Sequence, residues 1–400
     1  MKIGIIGDVH LGASLAMGKK DAESGINTRL ADYDSTLNST IYDLYDKGCE
    51  TLVFTGDIFE HRTPTMKQQE LFSAALRRAI EKGFKAIYIV VGNHDQQRNV
   101  QATTLSYIKE LPLPNIHVID EMDMVVLDDE LGNPAANLIF MPYRDKRWLD
   151  VDTNQEAIGY LDQQLAMHVS SIENDAPKIL VGHMTIEGTM WMLDSYADLY
   201  NGNDIILPVD LFNSIDITVM GHVHTPAIVS KKPLIAYVGS MEKRSSSEDH
   251  DKKYVIIDID SKSMLEFSEP CREIYDIPLA LNNDPHGELL MDLIFHEVDK
   301  FASSHILKDS IVRINLYIDA NDDKFCHVNK IEEYILNIHE AFHCVEIKPS
   351  LLFSRQSRDE DINEHSPDVE SFNRYIDNEF MANAMKDQIL ENGLRIINGE

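Results

Sequence analysis

The chain is short of cysteine and of positive charge, and it has no long apolar run. Its four cysteines (Cys49, Cys271, Cys326 and Cys344) show no Cys-x-x-Cys spacing. That argues against a disulfide scaffold and fits a reduced, cytoplasmic setting. No apolar stretch approaches the ~18–20 residues of a membrane span. The chain enters a strand pattern at once, so no signal peptide is expected. No Gly-x-x-x-x-Gly-Lys-[Ser/Thr] loop occurs, so any ATP dependence must come from another chain. Lys and Arg total 36 against 67 Asp and Glu, a formal net charge of −31. A basic patch is the usual footprint of duplex binding, so this chain by itself is expected to hold nucleic acid weakly. The 400 residues, 44% hydrophobic and 26% charged, suit an ordinary soluble protein of two or three domains.

What the chain does have is five short polar clusters, each closing an apolar strand-like run. They are Gly7-Asp8-Val9-His10, Gly56-Asp57, Gly92-Asn93-His94-Asp95, Gly182-His183 and Gly221-His222-Val223-His224. The preceding runs are Lys2–Ile6, Thr51–Thr55, Ala86–Val91, Lys178–Val181 and Ile215–Met220. In open α/β sheets, ligands gather beyond the carboxyl ends of strands. Gly-Asp and Gly-Asn are also ordinary turn formers, but turn chemistry explains none of the histidines. Together the clusters contain the parts of a two-metal phosphoesterase site, in which two divalent ions roughly 3.5–4 Å apart clamp the attacking and leaving oxygens at phosphorus. Asp57 is best placed to bridge. Asp8, His10 and His224 complete one site, and Asn93, His183 and His222 the other. Imidazole, carboxylate and amide oxygen without thiolate suit Mn²⁺, Fe²⁺ or Zn²⁺ at an open site. His94 is then spare and suits protonation of the leaving oxygen or stabilisation of transition-state charge. Asp95 fits two roles equally: orienting the His94 ring, or an Asx turn or helix cap before Gln96.

The order GDVHLG, GDIFE, GNHD, GHM and GHVH resembles the calcineurin-like metallophosphoesterases, and more narrowly the SbcD-type nucleases of DNA repair and their phage counterparts. His10-Leu11-Gly12, Pro64 after the second motif, Tyr237-Val238-Gly239-Ser240 and Lys252-Lys253 before an apolar strand add to it. The resemblance covers residues 1 to about 260. It implies an α/β fold, a four-layer α/β/β/α sandwich followed by a small α+β capping domain and a C-terminal helical tail. It implies Mn²⁺, with Mg²⁺ or Fe²⁺ as alternatives, and 3′→5′ exonuclease action on double-stranded DNA with endonuclease cutting of single strands. It also implies an SMC-like P-loop ATPase partner with coiled coils (SbcC-type), and a homodimer within a heterotetramer. Some relatives carry histidine three residues after the bridging aspartate; here that residue is Glu60, followed by His61, which leaves the balance of exonuclease to endonuclease work open. Two other readings are a phosphatase or phosphodiesterase of the same fold and a non-catalytic scaffold that tethers DNA ends. The Gly-Asp-x-x-Asp-Arg-Gly and Gly-Asn-His-Glu signatures of Ser/Thr phosphatases are missing.

Local positive clusters are Arg144, Lys146 and Arg147 beside Trp148, and Lys231, Lys232, Lys243 and Arg244. A solvated loop is the favoured reading for the first, ahead of a lining of the site's rim. Gln68–Glu81 reads as a helix with Leu71, Ala74, Ala75 and Ile80 inward, and Thr153–Ser171 as another. Ala13–Asn27 reads as a loop, over the site entrance or simply on the surface. Met190, Trp191, Met192, Tyr196 and Tyr200 read as a satellite core ahead of a DNA or partner contact.

The nuclease domain is expected over residues 1–265, a capping domain over 266–350, and a linker with a helical tail over 351–400. In the second domain a helix is expected at Gly287–Ser303, a strand at Ile311–Ile318, a helix at Val328–Ala341 and a strand at Cys344–Pro349. Cys326-His327 and His343-Cys344 do not read as a zinc site, because neighbours on a strand point to opposite faces. Ser354–Pro367 is polar and aperiodic, as a linker is. Val369–Ile389 carries a helical apolar repeat suited to docking in a partner's groove.

Overall fold

The computed structural model describes residues 1–352 apart from 98–101, 190–202, 249, 270, 282–285, 346 and 348, together with 369, 372 and 373. The chain divides into two compact units, residues 1–275 with 309–311, and residues 276–308 with 312–400. The first unit begins with β1 (Lys2–Ile6), α1 (Thr28–Asp46), β2 (Thr51–Phe54), α2 (Met66–Lys82) and β3 (Ala86–Val90). It continues through α3 (Ser106–Lys109), β4 (Ile116–Ile119), β5 (Asp123–Asp128), β6 (Pro134–Met141), α4 (Asn154–Ser170) and β7 (Lys178–His183). After the short pair β8 (Thr185–Ile186) and β9 (Ile206–Leu207) come β10 (Ile217–Gly221), β11 (Ala227–Lys231), β12 (Leu234–Tyr237), β13 (Lys252–Asp258) and β14 (Ser263–Glu269).

These strands form two six-stranded sheets, ordered β14-β13-β1-β2-β3-β4 and β11-β12-β10-β7-β6-β5. The central strands β1 to β4, and β6, β7, β10 and β12, run parallel. Strand alternation explains the layers, since successive side chains face opposite sides. Ile3, Ile5, Val53 and Val90 of one sheet meet Leu138, Phe140, Ile179, Val181 and Val219 of the other in a shared core. The outer face of the first sheet, with Ile6, Phe54 and Ile87, packs on Leu37 and Ile41 of α1 and Phe72 of α2. The outer face of the second, with Ile139 and Leu180, packs on Leu161 and Leu165 of α4. The result is the α/β/β/α sandwich expected from the sequence.

Helix ends follow the local chemistry. Thr65 with Gln68, and Thr153 with Glu156, form reciprocal capping boxes that fix where α2 and α4 begin. On α2 the buried positions are Gln68, Leu71, Phe72, Ala75, Leu76 and Ala79. Ala74 and Ile80, expected inward, are only half-buried. The stripe is wide enough to bury adjacent pairs, which displaces it by one residue from a narrower reading.

The position expected to close the first domain lies inside β14, which pairs with β13 from Lys252↔Glu269 to Asp258↔Ser263. The strand β15 (Ile274–Leu281) was not anticipated; it is followed by α5 (Leu290–Ala302), β16 (Ile311–Asp319), α6 (Val328–Asn337), β17 (His343–Cys344) and β18 (Ser350–Leu352). β15, β16 and β17 are neighbours in one sheet, and β18 pairs with β16 in parallel. In place of one strand over Cys344–Pro349, two short strands flank that stretch. The aromatic group Met190–Tyr200 and nearly all of the tail lie outside the described residues. Among the described residues no helix is long and apolar enough to cross a membrane.

Candidate metal centre

All five polar clusters emerge at the carboxyl ends of β1, β2, β3, β7 and β10, and the parallel order brings those ends together. The two Asp-and-His sets meet around Asp57. Its Oδ2 lies 3.6 Å from His10 Nε2 and 3.4 Å from His183 Nε2, so one oxygen sits between the two sets. Asp57 Oδ1 accepts from the backbone N–H of His94 at 2.8 Å. His10 Nε2 is 3.0 Å from His224 Nε2, which is 3.6 Å from Asp8 Oδ2. On the other side, Asn93 Oδ1 is 3.0 Å from both His183 Nε2 and His222 Nδ1. Asp8 touches both sets, with Oδ1 3.7 Å from His183 Nδ1.

Three of these residues have left-handed backbone: His10 at φ +48°, Asp57 at φ +48° and His222 at φ +89°. That region is costly for any side-chain-bearing residue, and such strain gathers where the fold holds side chains for chemistry. Two glycines explain the close approach. A Cβ on Gly92 would lie 2.2 Å from Asp57 Oδ1, and one on Gly221 would lie 2.4 Å from Asp8 Oδ1.

The electrostatics show strongly coupled groups. Burial pushes His10 down to about 3, partly opposed by Glu60. Burial and the positive charge of His183 push His222 down to about 3. His183 goes the other way: burial opposes its charge, but Asp57 and Asp8 outweigh it and raise it to about 9. Burial raises the Asp8 carboxyl. Asp57 stays well below the usual carboxylate range, because His183 and His94 outweigh its burial. His94 is raised despite burial, chiefly by Asp57 and by the Glu60 carbonyl.

This donor set fits divalent ions. Three groups have their donor atoms within 4.8 Å of one another: Asp8, His10 and His224; Asp8, Asp57 and His183; and His10, Glu60 and His94. The 3.0 Å between His10 Nε2 and His224 Nε2 is also the spacing of neighbouring ligands around one ion at about 2.0–2.2 Å. The buried His222 Nε2 has no hydrogen-bond partner among the described residues. His183 Nδ1 is held by the Thr55 carbonyl at 2.9 Å, the kind of contact that fixes a ligating imidazole's tautomer.

Asp95 corrects the sequence reading. The His94 ring is not held by it: His94 Nδ1 faces the Glu60 carbonyl at 2.6 Å. The buried Asp95 carboxylate instead accepts from the backbone N–H groups of Gly92 at 3.0 Å and Ile58 at 3.1 Å. It therefore ties the β3 loop to the β2 loop, and no helix starts at Gln96, which bridges to Thr103. Of the positive clusters, Arg144 is buried under Trp148, 4.8 Å from its ring centroid, and donates to the Tyr143 and Asp120 carbonyls. One cation at the centre is Arg244, whose Nη2 is 3.0 Å from Glu60 Oε1 and whose Nη1 is 2.9 Å from His224 Nδ1. Sequence reasoning named it only as a member of a local positive cluster, with Lys231, Lys232 and Lys243, and no motif marks it.

The sequence profile of the calcineurin-like phosphoesterases matches residues 1–226. The SbcD component of the SbcCD nuclease from Staphylococcus epidermidis is 24% identical over 74% of this chain and 82% of its own length. Its namesake in Staphylococcus saprophyticus is 24% identical over 58% of this chain and 61% of its own. A DNA double-strand break repair protein of Methanosarcina acetivorans is 22% identical over 77% of this chain and 45% of its own. The chain thus spans most of the first relative and under two thirds of the other two. With more than half of its length matched by the profile and with donors at the five strand ends, the chain belongs to the calcineurin-like phosphoesterase family.

Proposed function

We propose that this chain is the nuclease subunit of a DNA repair or recombination complex, hydrolysing phosphodiester bonds with two divalent ions, Mn²⁺ first among them. The observation that carries the reading is Asp57 Oδ2 lying between His10 Nε2 and His183 Nε2, as a carboxylate shared by two ions would. Asp8, His10 and His224 would hold one ion and Asn93, His183 and His222 the other, with Asp57 available to both. Bound there, the ions neutralise charge on the phosphate and orient the attacking and leaving oxygens.

The protein's own groups supply the rest. His94 commits Nδ1 to the Glu60 carbonyl, so Nε2 is the nitrogen left to carry a proton to the departing 3′-oxygen. The buried Asp95 keeps the Gly92–Asp95 loop against the Asp57 loop, which places His94. The relatives named as SbcCD nuclease components support DNA as substrate and an SbcC-type ATPase as partner. With a net charge of −31, much of the phosphate contact is assigned to that partner. The segment from residue 276 to about 350 is assigned to capping the DNA path, and the tail after 351 to binding the ATPase. A two-fold dimer of this chain completes the proposed assembly.

The test is hydrolysis of 3′-labelled and 5′-labelled duplexes by the purified chain with Mn²⁺, with and without the ATPase. Mononucleotide release that Asp57→Ala abolishes supports the nuclease and gives its polarity. Brisk turnover of a small phosphodiester with no cleavage of any DNA would move the assignment to a small-molecule phosphodiesterase.

A further inference from the structure

Glu60 lies three residues beyond Asp57 and outside the seven donors assigned above, yet it touches two of the site's imidazoles. Its Oε2 is 3.0 Å from His10 Nδ1 and its Oε1 is 3.0 Å from Arg244 Nη2. Its carbonyl oxygen is the 2.6 Å partner of His94 Nδ1. Arg244 is itself anchored. Its backbone N–H donates to Glu248 at 3.1 Å, and its carbonyl accepts from Ser14 at 2.6 Å. The carbonyl of Lys243 just before it accepts from the fully buried Arg29 of α1, which also pairs with Glu242. Glu248 is pinned in turn by the buried Lys252.

We propose that Glu60 and Arg244 form a positioning pair for the ion site of Asp8, His10 and His224. Glu60 Oε2 sits 3.0 Å from His10 Nδ1, close enough to take its N–H though out of line for a hydrogen bond in the ion-free chain, and Arg244 fixes that carboxylate. A neutral imidazole has a single N–H. An anionic acceptor at Nδ1 places the proton there and turns the Nε2 lone pair toward Asp57 and His224, from which Nε2 is 3.6 Å and 3.0 Å away. Ligating histidines characteristically carry such a partner, and its loss costs about 10–100-fold in metal affinity. The other imidazole facing Asp57, His183, has a neutral carbonyl in this role. The two ion sites are therefore supported unequally, the first by a carboxylate and the second by a peptide oxygen. The rival role for Glu60, a direct ligand in a third site with His10 and His94, is disfavoured. Its Oε1 is taken by Arg244, and its Oε2 faces the far nitrogen of an imidazole already assigned to the first site.

This inference rests on the two-ion reading above, so the experiment separates the two. Mn²⁺ binding to the metal-free full-length chain is followed by calorimetry and by electron paramagnetic resonance, for wild type, Glu60→Gln, Arg244→Met and Arg244→Lys. Wild type that binds no Mn²⁺ would defeat the two-ion reading itself. With two wild-type sites, Glu60→Gln is expected to weaken one of them about 10–100-fold and spare the other. Arg244→Met should weaken the same site, and Arg244→Lys should recover part of the loss. Unchanged affinity at both sites overturns the proposal, as does a third wild-type equivalent abolished by Glu60→Gln. Should Glu60→Gln lack a cooperative melting transition, Arg244→Met decides alone: unaltered binding in that variant sinks the pairing.

Discussion

His94 Nδ1 lies 2.6 Å from the backbone carbonyl oxygen of Glu60, so the ring is oriented by main chain and not by the acid that follows it in sequence. This leaves Nε2 as the one ring nitrogen for chemistry. His94→Ala is expected to lower single-turnover cleavage by about 10²–10⁴-fold, the usual contribution of a positioned acid or base. The same variant should still bind two Mn²⁺ by calorimetry. Loss of a metal equivalent would make His94 a ligand instead.

The charge on His183 makes metal loading depend on pH. In the metal-free protein Asp57 and Asp8 overcome burial and hold this ring's pKa at about 9, while an imidazole must be neutral to ligate. Below about 9 the ion held by His183 therefore displaces a proton from that ring. Apparent Mn²⁺ affinity at that site should rise with pH by up to about tenfold per unit between 7 and 9, then level off. Calorimetry in buffers of different ionisation enthalpy counts the released protons; a count of zero at pH 7 would contradict the assignment.

Much of this site was legible because its donors sit in motifs that end strands. Asp8, Asp57, Asn93 and the histidines each follow an apolar run, and parallel sheet order gathers such ends in space. Arg244 was not legible. It comes after β12 in a polar stretch without period, and its place beside Glu60 depends on contacts to Arg29 and Lys252, 215 and 8 residues away in numbering. Asp95 was misread for a related reason. Its neighbour in sequence is His94, but its hydrogen-bond partners are backbone N–H groups, and sequence carries no mark of those. In the fold, the boundary expected at residue 265 falls inside β14, whose mixed burial over Ser263–Glu269 is that of an edge strand.

Glycine substitutions should separate the crowded centre from the open surface. At Gly92 an added Cβ meets Asp57 Oδ1 at 2.2 Å and the Asp57 backbone nitrogen at 2.4 Å. Backbone on that side leaves no side chain free to yield. Gly92→Ala is expected to abolish Mn²⁺ binding at the shared carboxylate and to lower the melting temperature. Gly159, inside α4, has nothing within 4 Å of an added Cβ, and alanine there should stabilise by about 0.5–1 kcal/mol through helix propensity alone. Thermal unfolding of both variants checks the contrast, and equal effects would refute it.

Asp95 gives a prediction whose sign depends on pH. Burial, with Asp57 close by, raises its carboxyl to about 7 in the folded chain, against about 3.9 when unfolded. A folded pKa above the unfolded one means the folded state holds the proton more tightly. The stability this contributes is fully present below about 3.9 and is lost as pH rises through about 7. Asparagine at this position cannot titrate. It keeps one oxygen for the N–H groups of Gly92 and Ile58 but presents an amide to the remaining space. Asp95→Asn should therefore destabilise the metal-free protein more at pH 5 than at pH 8, where wild type has already lost that contribution. Urea unfolding at the two pH values measures the difference. A variant penalised more at pH 8 would show that Asp95 is ionised in the fold and is held by its N–H donors more strongly than burial and Asp57 oppose it.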